Sequence, residues 1–195
     1  MIINLNSFHF VKYLVLLACF LSFQLKAQTK ENVIITDAID ISALQEGYQK
    51  KQYTIEEITK AYLDRIESID KNGSQLNAVL TINPDAISIA KALDLELKQG
   101  KWRGPLHGVP VLLKDNINTN DKMPTTAGSK ALANSFPLED SFIVKKLRAA
   151  GAVIIGKTNL SEWANFRAYP SSSGWSGLGG QTKNAYDGER QEALW

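Results

Sequence analysis

Gly104-Pro-Leu-His-Gly-Val-Pro-Val-Leu-Leu-Lys114-Asp-Asn116 decides how this chain is read. Val109 to Leu113 is an apolar run with strand character, and it ends directly in Lys114. Two states are open to that lysine. It is the first solvated residue after a strand, since lysines usually reach back to water. Or it is held in an apolar site, which disfavours the ammonium and lowers the pKa from ~10.4 towards a range where the neutral amine accepts protons.

Working outward, Thr54-Ile-Glu-Glu57 reads as a capping box opening a helix. The spacing of Ile55, Ile58, Tyr62, Leu63, Ile66 and Ile69 carries that helix to about Asp70, where Asn72-Gly73 stops it. A shorter helix is predicted over Ile41–Gln49, and another over Ala86–Leu97 after Pro84. A last helix spans Asp140–Ala150 with Phe142, Ile143 and Leu147 inward, closed by Gly151. Ala78–Ile82 and Ala152–Ile155 join Val109–Leu113 as strands, and Asn116 to Lys130 reads as a polar loop. Continuous apolar strands separated by helices predict an α/β fold, with a mostly parallel mixed sheet flanked by helices. In such sheets the ligand crevice lies beyond the carboxyl ends of the strands. Lys114 follows one such end, and Gly156-Lys157-Thr158-Asn159 follows another.

Residues 1–27 read as a secretory signal peptide, with Lys12, an apolar run from Tyr13 to Leu25, and cleavage after Ala27. The run is short of the ~20 residues a membrane span needs. Lipid attachment at Cys19 is the alternative. An exported location follows, periplasmic or secreted, with no membrane role beyond export. Cys19 is the only cysteine, so residues 28–195 hold no disulfide. The whole chain has 22 basic and 20 acidic residues, and the leader accounts for the two-charge excess. A near-neutral remainder has no basic field for nucleic acid. His9 and His107, the only histidines, exclude a histidine-rich metal site.

Other motifs have ordinary explanations. Gly174-Trp-Ser-Gly-Leu-Gly-Gly180 lacks the last glycine of a nucleophile elbow and the Gly-Lys-Ser/Thr of a phosphate loop, so it reads as a tight loop. Ser171-Ser172-Ser173 is turn material. His107 precedes its strand, at the opposite end from Lys114, and reads as a core or loop histidine. Asp115 and Asn116 suit a turn or a supporting role beside the lysine.

The stretch around Lys114 resembles the lysine motif of the amidase signature family. So do Thr125-Thr-Ala-Gly-Ser129, the run from Asp140 through Gly151-Ala-Val-Ile-Ile-Gly-Lys-Thr-Asn159, and Gly180-Gln-Thr-Lys-Asn184. The resemblance covers about residues 38 to 186. It implies hydrolysis of carboxylic amides through a Ser–cis-Ser–Lys triad and an acyl-enzyme, with no metal or cofactor. Lys114 would be the catalytic lysine. Asp115, Asn116, Thr126 and Ser129 would shape the site or its pocket loop. The implied partner is a small-molecule or peptide amide; which amide, and the oligomeric state, stay open.

One departure stands out. Where the family continues into a Gly-Ser-Ser-x-Gly-Gly-Ser turn bearing both serines, this chain has the charged stretch 187–195. The sequence therefore reads as the N-terminal portion of an amidase domain, incomplete and inactive alone. The alternative is a non-catalytic exported binding protein that reuses half the fold.

Overall fold

The computed structural model describes residues 39–166 and 173–187. The leader expected at 1–27 lies outside them, as do Ser171, Ser172 and most of the 187–195 tail.

The first helix, α1 (Ile41–Gln49), starts where the Asp40 carboxylate accepts from the Ala43 amide at 2.7 Å. It lies on the segment leading to Lys114. Gln45 Nε2 donates to the His107 carbonyl at 2.8 Å, and the Tyr48 hydroxyl donates to the Gly108 carbonyl at 2.9 Å. Burial pushes the Tyr48 phenol well above its ordinary value.

Next, α2 (Ile55–Arg65) opens with the expected capping box: Glu57 N–H donates to Thr54 Oγ1, and Thr54 N–H donates to Glu57 Oε2. A wider turn, Ile66–Lys71, prolongs it to Asn72. Its first two free amides are taken by Asp94, which accepts from Ile55 N–H at 2.8 Å and Glu56 N–H at 3.0 Å. Asp94 sits on α3 (Ala86–Lys98), so a carboxylate of one helix caps the positive end of another.

Three strands form the main sheet: β1 (Val79–Ile82), β2 (Pro110–Lys114) and β3 (Val153–Thr158), in the order β1-β3-β2. β2 runs parallel to β3 and β1 antiparallel to it, so the α/β class and mixed sheet hold. The β2–β3 pairing slips between Ile154 and Gly156, and the β1–β3 pairing between Val79 and Thr81; at Gly156 an added Cβ would stand 2.5 Å from the Thr81 carbonyl oxygen, so only glycine fits there. Leu113, Met123, Val144 and Ile154 form the core beside β2 and β3. A small hairpin, β4 (Trp175–Ser176) with β5 (Gly180–Gln181), occupies the glycine-rich segment.

Three expectations are corrected. β3 does not stop at Ile155 but continues to Thr158, so Gly156 and Lys157 belong to the strand. β2 is an edge strand whose Leu112 and Lys114 are exposed, not a strand covered on both faces. The last helix, α4 (Phe142–Ala149), starts later than Asp140, and Phe142 (76 % exposed) and Ile143 point outward. Leu147 faces the core as expected, and it shares that face with Val144, three residues before it, rather than with Phe142 and Ile143. Asn116 to Lys130 is a polar loop, as read from the sequence, and Thr119, Met123, Thr125, Thr126 and Ser129 are buried in it.

Of the two readings open for His107, core or loop histidine, the structure selects the core one. The residue is fully buried, accepts from Arg103 N–H at Nδ1 (3.4 Å), and its Nε2 lies 3.2 Å from the Leu93 carbonyl. This network assigns the proton to Nε2.

Asp94→Ala should lower the stability of the protein by about 1–2 kcal/mol, the cost of freeing two helix-start amides and their charge partner. Thermal unfolding of the variant checks this; an unchanged midpoint would show the cross-helix cap to be energetically idle.

Candidate functional site

At the carboxyl end of β2 the chain turns under itself. Asp115 N–H donates to the Thr158 carbonyl at 3.2 Å, keeping register with β3 for one residue beyond Lys114. The Asp115 carbonyl then accepts from the amides of Thr126 and Ala127, at 3.2 and 3.0 Å. Asp115 is fully buried, and its Oδ2 accepts from both the amide and the hydroxyl of Thr126. The Thr126 oxygen accepts in turn from Gly128 N–H at 3.0 Å. Burial pushes the Asp115 carboxyl above its ordinary 3.8, against the opposing pull of the Thr126 hydroxyl and of Lys157. Its Oδ1 is buried with no partner among the described residues, which also favours the protonated form.

The lysine that satisfies the burial argument is not Lys114. Lys114 is exposed at the strand end. Lys157, one register position away opposite Leu113, is 0 % exposed and is the largest fully buried side chain described. Its Nζ donates to the Ile117 carbonyl at 2.8 Å and to Thr125 Oγ1 at 2.9 Å. Burial pulls its pKa below the ordinary 10.5; Asp115 and Asp121 oppose this, and Arg148 adds to it. Alternation along a pleated strand explains the exchange of roles, because side chains at 113 and 157 face the core and those at 114 and 158 face away. A signal for Lys157 was present: a lysine within Val153-Ile-Ile-Gly-Lys-Thr158 invites the same question as Lys114. Gly156 hid it by mimicking a strand end.

Of the other expected residues, Thr126 and Ser129 are buried in the loop that packs on Asp115, with the Ser129 amide donating to the Thr126 carbonyl at 2.9 Å. Asn116 is exposed and lines an open cleft of about 450 Å³. Asn118, Thr125, Ala127, Trp163 and Phe166 line the same cleft; Lys114 is not among its walls. The backbone at this wall is strained. Ala127 (φ 50°), Trp163 (φ 52°) and Ala164 (φ 52°) all occupy the left-handed region, and Trp163 N–H donates to the Ala127 carbonyl at 3.0 Å.

The hairpin packs against the loop at Gly128 and against Asn159. Ser176 is buried, donates to Asn159 Oδ1 at 2.6 Å, and accepts from Gly179 N–H at 2.9 Å. Gly128 (φ +75°) must be glycine, since a Cβ there would stand 2.5 Å from the Ser176 Cβ. Asn159 also donates to the Gly180 carbonyl and Thr182 Oγ1, at 3.1 and 3.0 Å. Among the described residues no group of histidine, cysteine or carboxylate side chains could hold a metal ion.

Residues 57–192 match the Amidase family model. A relative from the fungus Arthroderma benhamiae is 47 % identical over 143 residues, covering 73 % of this chain and 24 % of the relative. A probable amidase of Arabidopsis thaliana is 46 % identical over 148 residues, covering 75 % of this chain and 28 % of its own length. The solved native peptide amidase from Stenotrophomonas maltophilia is 49 % identical with a TM-score of 0.76, over 78 % of this chain and 31 % of that one. The chain thus spans about a quarter to a third of the length of the proteins it matches. These relatives overturn the exported location expected from the leader, together with the lipid anchor at Cys19. They are fungal, plant and bacterial proteins of a kind that typically works inside the cell.

The lowered pKa of Lys157 has a signed consequence for stability. Between its folded value and 10.5, the unfolded chain holds a proton that the folded chain has released. Stability therefore rises with pH across that window; the contribution is complete above 10.5 and is lost as pH falls through the folded value. The unfolding free energy of the native chain minus that of Lys157→Met should grow as pH is raised from neutral towards 10.5. Denaturant melts at several pH values test this, and a pH-independent difference would contradict it.

Proposed function

Since the chain belongs to the amidase family, we propose that it carries the lysine portion of an amide-hydrolysing site that works through a Ser–cis-Ser–Lys triad. The observation behind this reading is the placement of Lys114. Lys114 is the last residue at the carboxyl end of a strand, followed directly by the buried Asp115 and two residues before Asn116, which lines an open cleft. That is where an α/β sheet presents ligand-binding groups.

In this mechanism neutral Lys114 takes a proton, through a serine on a cis peptide, from the nucleophilic serine. The serine oxygen bonds to the amide carbonyl carbon as that proton leaves. Collapse breaks the carbon–nitrogen bond, and the departing amine takes the proton back through the same relay. Water then attacks the acyl-enzyme and releases the acid. A donor to the oxyanion is worth about 3–4 kcal/mol where a side-chain donor has been removed from another hydrolase. Lys114 is exposed among the described residues, so this chemistry requires a serine-bearing element to be brought against it. Asp115, Asn116, Thr126 and Ser129 serve the site indirectly, by fixing the turn after Lys114 and one wall of the cleft. The substrate class is a small-molecule or peptide amide.

The 195 residues hold the lysine but no Gly-Ser-Ser-x-Gly-Gly-Ser turn, and we expect no turnover from them alone. Purified chain incubated with a panel of amides should release no product; hydrolysis abolished by Lys114→Ala would overturn that expectation. A chimera tests the chemistry itself. Residues 38–186, placed in the matching part of the Stenotrophomonas maltophilia peptide amidase, should support hydrolysis of a short peptide amide. Lys114→Ala in the chimera should reduce kcat by ~10³-fold or more, the scale of losing a triad member. A folded chimera that is inactive, or indifferent to Lys114→Ala, would refute the reading.

A further inference from the structure

The proposed chemistry makes no use of the Lys157 amine, yet burying a lysine completely is among the costlier placements a fold can make. What that amine touches is specific. Its two acceptors, the Ile117 carbonyl and Thr125 Oγ1, belong to the two arms of one loop, the loop that follows Lys114. Thr125 Oγ1 also lies within 3.4 Å of the Ile117 carbonyl oxygen, so the three groups form a closed triangle. One residue beyond Thr125 and two before Ile117, Thr126 and Asp115 make the second closure described above. Beneath the loop tip, Asp121 accepts from Arg148 on α4 at 2.7 Å, and the Ser141 amide donates to the Asn118 carbonyl at 3.0 Å.

We infer that Lys157 is the positioning residue of this site: from the core side of β3 it clamps Ile117 to Thr125, and so holds both the turn after Lys114 and the cleft wall formed by Asn116, Asn118 and Thr125. β2 is an edge strand of the described sheet, so on its outer side no ladder partner steadies the chain as it leaves Lys114. The clamp supplies that restraint from within. Its chemistry also suits its place. A neutral amine has two N–H groups and meets two acceptors, so the clamp survives loss of the lysine proton on burial. The role assigned to Lys157 concerns the site proposed above, but the clamp is read without any turnover.

Residue-resolved amide hydrogen exchange on the 195-residue chain provides the test. Lys157→Met keeps the unbranched apolar stem and removes the amine with its donors; Thr125→Val keeps the shape of the acceptor and removes its oxygen. Each should speed exchange of the amides of Ile117, Thr125, Thr126 and Ala127 by about tenfold, the scale of one lost hydrogen bond. The Asn83 amide, bonded to the Ile155 carbonyl at the far end of β3, should keep its rate. Thr125→Ser, which restores the hydroxyl, should return the loop to native protection. The double variant should be no faster than either single one, because each alone breaks the same clamp. If all amides speed up together, Lys157 only stabilises the fold and the inference fails. If the loop stays protected, the clamp carries no restraint and the inference also fails. Should Lys157→Met not fold, the Thr125→Val and Thr125→Ser pair decides between the same outcomes. None of these rates depends on amide hydrolysis, so an inactive chimera and an unclamped loop are separate results.

Discussion

A strand bonded on both edges and covered on both faces leaves no buried polar atom free to go unpaired, and β3 has put a lysine there. The ammonium or amine of Lys157 needs acceptors within a few ångströms, in a region of the protein made of Ile154, Leu113, Met123 and Val144. Among the described residues, the loop after β2 supplies them. That requirement ties the loop to the sheet interior, sets the separation of Ile117 and Thr125, and fixes where the chain goes after Lys114.

The same loop explains why Asp115 is buried next to an exposed lysine. The pleat sends Lys114 outward and Asp115 inward, and the inward carboxylate is met by the Thr126 amide and hydroxyl. Two polar closures in series, Asp115 with Thr126 and Lys157 with Thr125, hold a segment in which buried polar side chains outnumber apolar ones. Such networks are unforgiving, because a lost partner leaves its mate desolvated and unbonded. The strained backbone at Ala127 and Trp163 belongs to this arrangement. Those two residues are joined by a hydrogen bond and both face the cleft, and the rigid closures on either side are what can sustain left-handed residues there.

Elements with a local cause were legible in the sequence. The capping box at Thr54 and Glu57, the stop at Asn72-Gly73, and the helix after Pro84 all rest on contacts within a few residues. His107 was recognisable as a core or loop histidine because its place before the strand kept it from the carboxyl end. The motif around Lys114 was legible as a resemblance, and the family match agrees with it. Less legible was whatever needed a partner distant in the chain. The Asp94 cap on α2 spans 38 and 39 residues, and the Lys157 clamp spans 32 and 40. Phe142 and Ile143 were misplaced because α4 has apolar residues at 142, 143, 144 and 147, and only packing against the sheet selects Val144 and Leu147 as its inward face. The inference of export from the first 27 residues gave way to the relatives.

By itself, the order of residues determined which segments become helix or strand and that a lysine must end β2, because caps, periodicity and glycine stops act over one or two turns. It also carried the family resemblance. Only the tertiary structure decided which of two lysines is buried. That choice depends on the pleat phase of β2 against β3, which is set by pairing across forty residues and by the slip at Gly156. One residue of phase separates an amine facing water from an amine sealed in the core, and no local pattern in the chain distinguishes the two.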